Sequence, residues 1–535
     1  MSKVVTSFKL AFLSSLVFFL VAFLTIKDYG VSWDETIHFR RGQAYIHYFL
    51  TGNKTYEDLP KTNLQGTGGK PENIPEPRRS FYQNDYHNGE HWETRDIGHP
   101  PLSDELAALF NVVLFQKLGI LDDITSFHIY NILAGALIVF FVSFFATKTF
   151  GKFTGLITFL TLATYPLFWA ESHFNMKDVS QAAFFTGFIF TFYKALGPSK
   201  MWLFLSSVFF GLALGTKFNI LFTPFIIIPY LLVRLRKEPL KLSKGYLATL
   251  LSWPFVVLLI FVGTWPFLWW SPDNILKIFD YYRHIGVGTN YQPEQFYLYG
   301  FNTFALQWII FTTHPLVLAL AITGLFSCWK NRNKFHSVTV LWLLWLLVPI
   351  GRVSLSEFSI YGGVRQIFEF IPALALVSGM GAYQIVAWLK IPRVKKLAMV
   401  LITFAFLWPI QTLISLHPNE NVYFNSLIGG LSGAKERNFP SWGNSFGNAY
   451  FQGIKWLNKN AESGAKLALI QGTPANAPAI LLRRDIQYIY SDTSDKSYFS
   501  SEAKEGEYLM ELTYNDTYKP DSEAWRYVEK YLVPV

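Results

Sequence analysis

Leu10-Ala-Phe-Leu-Ser-Ser-Leu-Val-Phe-Phe-Leu-Val-Ala-Phe-Leu-Thr-Ile26 is an apolar run that ends shortly before Val31-Ser-Trp-Asp-Glu-Thr36. The run is longer than the apolar core of a signal peptide, and no small-x-small cleavage site precedes Asp28. We therefore interpret residues 9–26 as a retained first membrane span. Asp34 and Glu35 follow where the chain leaves the membrane. Carboxylates are costly near lipid and are not needed for anchoring, so this pair indicates a functional site.

The composition indicates a polytopic membrane protein. Of 535 residues, 51% are hydrophobic and 18% aromatic, while 16% are charged. Soluble domains have about 25% charged residues. Fifty-one Phe and seventeen Trp are also too many apolar rings for one ordinary soluble core. The single cysteine, Cys328, excludes an internal disulfide and a cysteine-based zinc site.

Apolar runs of spanning length recur along the chain. Eleven segments qualify, of which the fifth and ninth are short: 9–26, 126–146, 153–170, 179–196, 201–215, 219–233, 246–268, 303–327, 337–351, 367–389 and 397–414. The predicted fold class is therefore a polytopic α-helical membrane protein with about eleven transmembrane helices.

The basic residues predict the orientation of these helices. With the N-terminus inside, the short inner segments hold eighteen Lys and Arg residues, whereas all the outer segments between residues 171 and 366 together hold six. This distribution follows the positive-inside rule, so the net charge of +9 does not indicate a nucleic-acid partner. The same count places the C-terminus outside.

Three outer segments are too long to be simple connections. The first, 27–125, has flanks at about 35–50 and 102–118 with apolar residues at helical spacing, which predicts amphipathic helices at the membrane interface. The second is 269–302. The third is the polar tail 415–535, which alternates helix-like and strand-like runs and predicts a small extramembrane α/β domain after a transmembrane domain at 1–414. A final helix is expected at 522–532.

Three motifs carry a family resemblance. The acidic pair after the first span and Gly98-His99-Pro100-Pro101-Leu102 at the end of the first loop resemble protein O-mannosyltransferases and aminoarabinose transferases. These are GT-C membrane glycosyltransferases, similar to glycosyltransferase family 39, which use lipid-phosphate sugars as donors. Tyr361-Gly-Gly-Val-Arg365-Gln-Ile-Phe-Glu-Phe-Ile-Pro372 resembles a pattern of bacterial members, although Gln366 stands where His is commoner. The resemblance covers about residues 25–445.

Asp34 is the predicted catalytic base. An acceptor hydroxyl is a weak nucleophile, and a carboxylate within hydrogen-bond reach can take its proton as it attacks. Glu35, the second predicted catalytic residue, is expected to orient the site. The alternative to a catalytic role is that the acidic pair only caps or solubilises its loop.

A second acidic motif lies in Glu171-Ser-His-Phe-Asn-Met-Lys177-Asp178, an outer turn with an unusual density of ionisable residues. Asp178 matches the family residue that faces the first-loop carboxylate, and Lys177 is a candidate for donor phosphate. Asp34 and Asp178 together are a candidate site for a divalent metal, Mg²⁺ or Mn²⁺. A solvated turn is the alternative.

Two further cations are predicted to bind the donor phosphate. Lys217, in a turn between two spans, either extends to the surface or faces an anion. Arg365 lies at the outer boundary of a span, and its guanidinium suits bidentate phosphate binding. His99 and His284 are predicted to line the active site or the acceptor path, although the His-Pro-Pro motif also serves as a rigid start to the next helix.

These residues predict inverting transfer of a sugar from a polyprenyl-phosphate donor to a lipid, glycan or protein acceptor on the outer face. The resemblance implies the bacterial cytoplasmic membrane. The rival interpretation is a lipid-linked sugar flippase or another transporter. Transporters place polar residues at the membrane midplane and often contain inverted repeats, whereas the ionisable residues here gather on one face.

Overall fold

A computed structural model describes the protein at residues 2–59, 78–83, 89–96, 98–197, 199–239, 243–284, 293–330, 337–355, 360–444, 446–469, 476–489, 507–510 and 533. The chain divides into two compact units. The first unit comprises Met1–Leu24, Glu93–Ser103 and Asn131–Gly430. The second comprises Thr25–Trp92, Asp104–Tyr130 and Leu431–Val535.

Helices dominate the described residues. The first ten are α1 Ser2–Thr25, α2 Glu35–Thr51, α3 Gly89–Arg95, α4 Leu102–Asn111, α5 Asp123–Phe150, α6 Lys152–Ala163, α7 Pro166–Phe174, α8 Met176–Ala195, α9 Lys200–Leu214 and α10 Pro224–Lys237. The others are α11 Lys244–Gly263, α12 Phe267–Trp270, α13 Asn274–His284, α14 Phe304–Thr312, α15 Pro315–Lys330, α16 Ser337–Arg352, α17 Phe370–Trp388, α18 Pro392–Ala405, α19 Leu407–Leu416, α20 Gly430–Glu436 and α21 Tyr450–Asn460. A π-helical turn, Val112–Lys117, continues α4.

The polytopic helical class is confirmed. Six described segments are long and apolar enough to cross a membrane: Val5–Asp28, Asp123–Phe150, Phe218–Arg236, Lys244–Gly263, Phe370–Trp388 and Pro392–Leu416. A seventh is possible if α6 and α7, bent by 63°, form one broken span. Pro166 explains the break, because the residue before a proline disfavours helical backbone. Three further apolar helices are shorter, and the count of eleven stays a prediction.

The first unit is packed through aromatic rings and close helix crossings. The ring of Trp342 meets Phe145 edge-on at 5.3 Å between centroids. Helices α15 and α17 approach so closely that a Cβ on Gly381 would lie 1.9 Å from the carbonyl oxygen of Leu320. Small residues at such crossings let helix backbones meet in a membrane, where packing replaces the hydrophobic effect.

The outer segment 269–302 ends in a short hairpin within the first unit. Strands β1, Tyr297–Leu298, and β2, Phe301–Asn302, pair antiparallel. Tyr299 and Gly300 connect them with φ angles of 50° and 82°. Positive φ at both central residues is typical of the tight turns that join such strands.

The second unit combines the first outer loop with the tail. Helix α21 packs its apolar face, Tyr450, Ile454 and Leu457, into the core of a small layered structure. Its sheet is parallel with the order β4-β3-β5: β3 is Lys466–Leu469, β4 is Gln487–Ile489 and β5 is Tyr508–Met510. The predicted strand-like run 479–490 begins instead as a 3-10 turn, Ala479–Leu481. The predicted helix 522–532 lies outside the described residues.

Candidate active site

Asp34 lies at the N-cap position of α2 in the second unit and is partly exposed. The backbone N–H of Trp33, just before it, donates to the carbonyl of Phe446 at 2.8 Å. The acidic segment is therefore tied to the tail. A partly exposed carboxylate at a helix start is accessible to a substrate, as a catalytic base must be.

Glu35 is buried, with 1% of its surface exposed. Its carboxylate accepts a hydrogen bond from the N–H of Ser32 at 2.8 Å, and its Oε1 lies 3.1 Å from Nε2 of His128. A buried carboxylate held on two sides fixes the start of α2 and with it the position of Asp34. The orienting role of Glu35 stays a prediction, and His128, which was not predicted, lies beside it.

A charged cluster that sequence reasoning missed lies one turn further along α2. Asp104 is fully buried and accepts from Nε and Nη2 of Arg41 at 2.8 and 2.5 Å. Nδ1 of His38 lies 3.1 Å from the same carboxylate. The signal in the sequence is the spacing of His38 and Arg41, which puts both on one helical face. Nothing in the sequence shows that Asp104 is their partner.

Asp178 forms the centre of a second group, in the first unit. Nζ of Lys217 lies 2.5 Å from its Oδ1, and Nη1 of Arg365 lies 3.7 Å from its Oδ2. The amide of Asn175 donates to the same Oδ2 at 2.9 Å. The exposed fraction of the side chain is 3% for Asp178, 12% for Lys217 and 14% for Arg365. The structure thus brings together the two cations predicted for phosphate and leaves one net positive charge.

These contacts do not fit the tentative metal site at Asp178 and Asp34. Both oxygens of Asp178 already face cationic or amide donors. Among the residues that the structure describes, no three His, Cys, Asp or Glu side chains are grouped to hold an ion. We therefore derive no step through a metal.

Lys177 is buried, and its ammonium donates to the carbonyl of Pro100 and, at 3.4 Å, to that of Thr216. The backbone N–H of Leu102 also donates a hydrogen bond to the carbonyl oxygen of Gly215 at 3.0 Å. This geometry favours a positioning role for Lys177 over the predicted contact with phosphate, because its ammonium joins two loops.

His99 is half-buried, and its Nδ1 lies 2.5 Å from the hydroxyl of Tyr282. Tyr282 belongs to α13 and was not predicted as a site residue. His284 is the last residue of the same helix, and its side chain lies outside the described part of the chain. The His-Pro-Pro motif is therefore connected to the second outer segment through His99.

A further ion pair involves Glu369, which follows Arg365 by about one helical turn. Glu369 is 1% exposed, and its Oε1 lies 3.6 Å from Nη2 of Arg352, whose side chain is 26% exposed. This pair was not predicted from the sequence.

Comparison with known proteins supports the family resemblance. Residues 98–270 match the family model described as dolichyl-phosphate-mannose-protein mannosyltransferase. No curated protein sequence matches the chain at a significant level.

Two solved structures resemble the chain as a whole. ArnT from Cupriavidus metallidurans, crystallised bound to undecaprenyl phosphate, matches 90% of this chain and 86% of its own, with a TM-score of 0.52 and 14% identity. AglB, an archaeal oligosaccharyltransferase from Archaeoglobus fulgidus in complex with an inhibitory peptide and a dolichol-phosphate, matches 88% of this chain and 64% of its own. Its TM-score is 0.48 at 11% identity. The likeness to ArnT is a likeness of fold.

Proposed function

We propose that this chain, a membrane protein of the GT-C glycosyltransferase type by family model and by fold, transfers a sugar from a polyprenyl-phosphate donor to an acceptor hydroxyl. The observation that carries the proposal is the convergence of Lys217 and Arg365 on Asp178. The ArnT structure of similar fold holds undecaprenyl phosphate, which is the leaving group that such a donor releases.

Lys217 and Arg365 form the donor side of the proposed reaction. Breaking the bond between the anomeric carbon and the phosphate oxygen leaves negative charge on the phosphate. Two cations on one carboxylate keep a net positive charge at a site with little exposure, where electrostatic attraction is stronger than in water. Arg365 can form paired hydrogen bonds with phosphate oxygens, and Lys217 adds a point charge.

Asp34 is the base on the acceptor side. The acceptor oxygen attacks the anomeric carbon, its proton passes to the Asp34 carboxylate, and polyprenyl phosphate departs with the bonding electrons. One displacement without a covalent intermediate inverts the anomeric centre. Glu35 and His128 hold the start of α2, so they are positioning residues for this base.

We also propose that transfer takes place on the outer face of a bacterial cytoplasmic membrane, with the N-terminus inside and the C-terminus outside. The asymmetric distribution of Lys and Arg supports this orientation.

The test is sugar transfer by purified protein in lipid nanodiscs, using a panel of undecaprenyl-phosphate sugars. Wild type is compared with Asp34→Asn and with Glu238→Gln, a control acid whose own side chain is 68% exposed. We expect Asp34→Asn to lower turnover by about 10²–10⁴-fold and the control to match wild type. Full activity in Asp34→Asn would show that Asp34 is not the catalytic base. A product with the donor's anomeric configuration would refute a single displacement. Donor movement across the bilayer without transfer would favour the flippase.

A further inference from the structure

The second unit contains a cleft of about 850 Å³. Its walls are residues 27–30 at the exit of the first span, residues 119–125 before α5, and one face of α21. Pockets of a few hundred to about 1,000 Å³ are the usual size of ligand sites. The mechanism proposed above does not use this cleft.

Helix α21 contributes a two-sided wall. Ile454 and Leu457 lie in the core, and Phe451 packs against that core while it also lines the cleft. The ammonium of Lys455, one turn further on, lies over the half-buried ring of Phe451, 4.6 Å from its centre. The helix therefore presents an aromatic ring with a cation over its face, and a ligand reaches that face when Lys455 turns away. This is the combination that the faces and hydroxyls of a sugar require.

The charges of the cleft balance. Lys27 and Lys455 oppose Asp28 and Asp122, and Nζ of Lys455 lies 3.1 Å from Oδ1 of Asp28. Both members of that pair are 45% exposed, so the pair can open to ligand hydroxyls at small cost. A net charge of zero disfavours a phosphate or another anion. Alternating donors and acceptors suit an uncharged polyhydroxylated ligand.

The cleft also reaches the contact that holds the neighbour of the proposed base, although Asp34 itself is not one of its lining residues. His128 lines it, and its Nε2 lies 3.1 Å from Oε1 of Glu35, the neighbour of Asp34. All of these residues belong to the second unit. A ligand in the cleft therefore lies against the side chain that holds the start of α2.

We propose that this cleft is the acceptor site and that its occupant is an uncharged saccharide. The proposal rests on the function proposed above and narrows its acceptor to a glycan. The ring of Phe451 packs against the apolar face of a sugar unit, and the pair of Lys455 and Asp28 exchanges its mutual contact for ligand hydroxyls.

The test is ligand-observed NMR on the full chain in nanodiscs, with maltotetraose and chitotetraose as probes and inorganic phosphate as the anionic comparison. We expect millimolar or tighter binding of at least one oligosaccharide. Phe451→Ala should weaken binding about three- to tenfold, as the loss of one aromatic contact does. Lys455→Ala changes the same side of the cleft without removing an aromatic ring, and it should also weaken saccharide binding. Lys459→Ala, an exposed lysine one turn further on α21, is the matched control and should bind like wild type.

Three outcomes would overturn the proposal: binding of neither oligosaccharide, equal binding by wild type and both cleft variants, or tighter binding of phosphate, which would indicate a headgroup site. Sugar transfer from the donor panel is measured in parallel. If sugar transfer is observed but Phe451→Ala does not change saccharide binding, the cleft is not the acceptor site and the proposed sugar-transfer activity still stands. If Phe451→Ala weakens saccharide binding but wild type transfers no sugar, the proposed sugar-transfer activity is refuted, and the cleft then has no acceptor role.

Discussion

Lys217→Met tests whether Asp178 is a buried anion that depends on its partners. In wild type, Nζ of Lys217 lies 2.5 Å from Oδ1 of Asp178, and the side chains are 12% and 3% exposed, respectively. Removing one partner of a buried pair costs about 3–5 kcal/mol, because the other charge is left uncompensated. Asp178 keeps Arg365 at 3.7 Å and Asn175 at 2.9 Å, so we expect the lower end of that range. A loss of about 3 kcal/mol lowers the ratio of folded to unfolded protein by roughly 150-fold.

The assay compares wild type with three variants in detergent by thermal unfolding and by inactivation half-life, since large membrane proteins often unfold irreversibly. Lys217→Met should be the least stable. The double variant Lys217→Met/Asp178→Asn should recover most of the loss, because it removes the uncompensated charge as well. Lys455→Met removes an ion pair whose members are both 45% exposed, so we expect a change below about 1 kcal/mol.

Two results would refute this reasoning. Lys217→Met as stable as wild type would mean that the Asp178 carboxylate is solvated or protonated without its partner. A double variant no more stable than the single one would mean that Lys217 stabilises the fold by packing and not through charge.

Three further predictions concern separate parts of the molecule. Glu35→Gln removes the charge that faces His128, so we expect a loss of about 1–3 kcal/mol in stability together with slower transfer, measured by thermal unfolding and by turnover. Arg365→Lys keeps the charge but loses paired hydrogen bonding, so binding of undecaprenyl phosphate should weaken about tenfold in a titration while the fold is unchanged. In the tail, hydrogen bonds from Arg483 and then from Gly464 N–H hold the pKa of Asp485 below its usual value. This stabilisation is present above the unfolded pKa of about 3.9 and is lost as the pH falls below it. Hydrogen-exchange protection factors near Asp485, corrected for the intrinsic pH dependence of exchange, should therefore fall on acidification in wild type but not in Asp485→Asn.

The sequence predicted the polytopic helical class of the protein. Apolar runs and the bias of Lys and Arg depend on the bilayer, which acts on each segment separately. Lys217 and Arg365 were predicted together at the donor phosphate, whereas Asp178 was predicted to face Asp34, so the meeting of both cations on Asp178 was not predicted. The structure brings them together on one carboxylate.

The contacts that position these residues were not predictable in the same way. The acceptor atoms of Lys177 are backbone carbonyls, which every residue carries, and Pro100 is 77 positions away in the chain. Asp104 meets His38 and Arg41 only because two helices of the first loop pack together. Such partners depend on tertiary packing, for which hydrophobic periodicity gives no signal.

The bond between Trp33 and Phe446 and the pair of Asp28 and Lys455 join the two ends of the chain. Asp28 and Lys455 are 427 positions apart. At about 5–20 residues per second, a ribosome needs roughly 20–85 s to travel between them. The nascent protein therefore inserts its spans while the acidic segment still lacks its partners from the tail. Translation itself thus sets a delay before the acidic segment acquires these contacts, and a chain truncated before residue 446 carries Asp34 without the neighbouring backbone contact between Trp33 and Phe446.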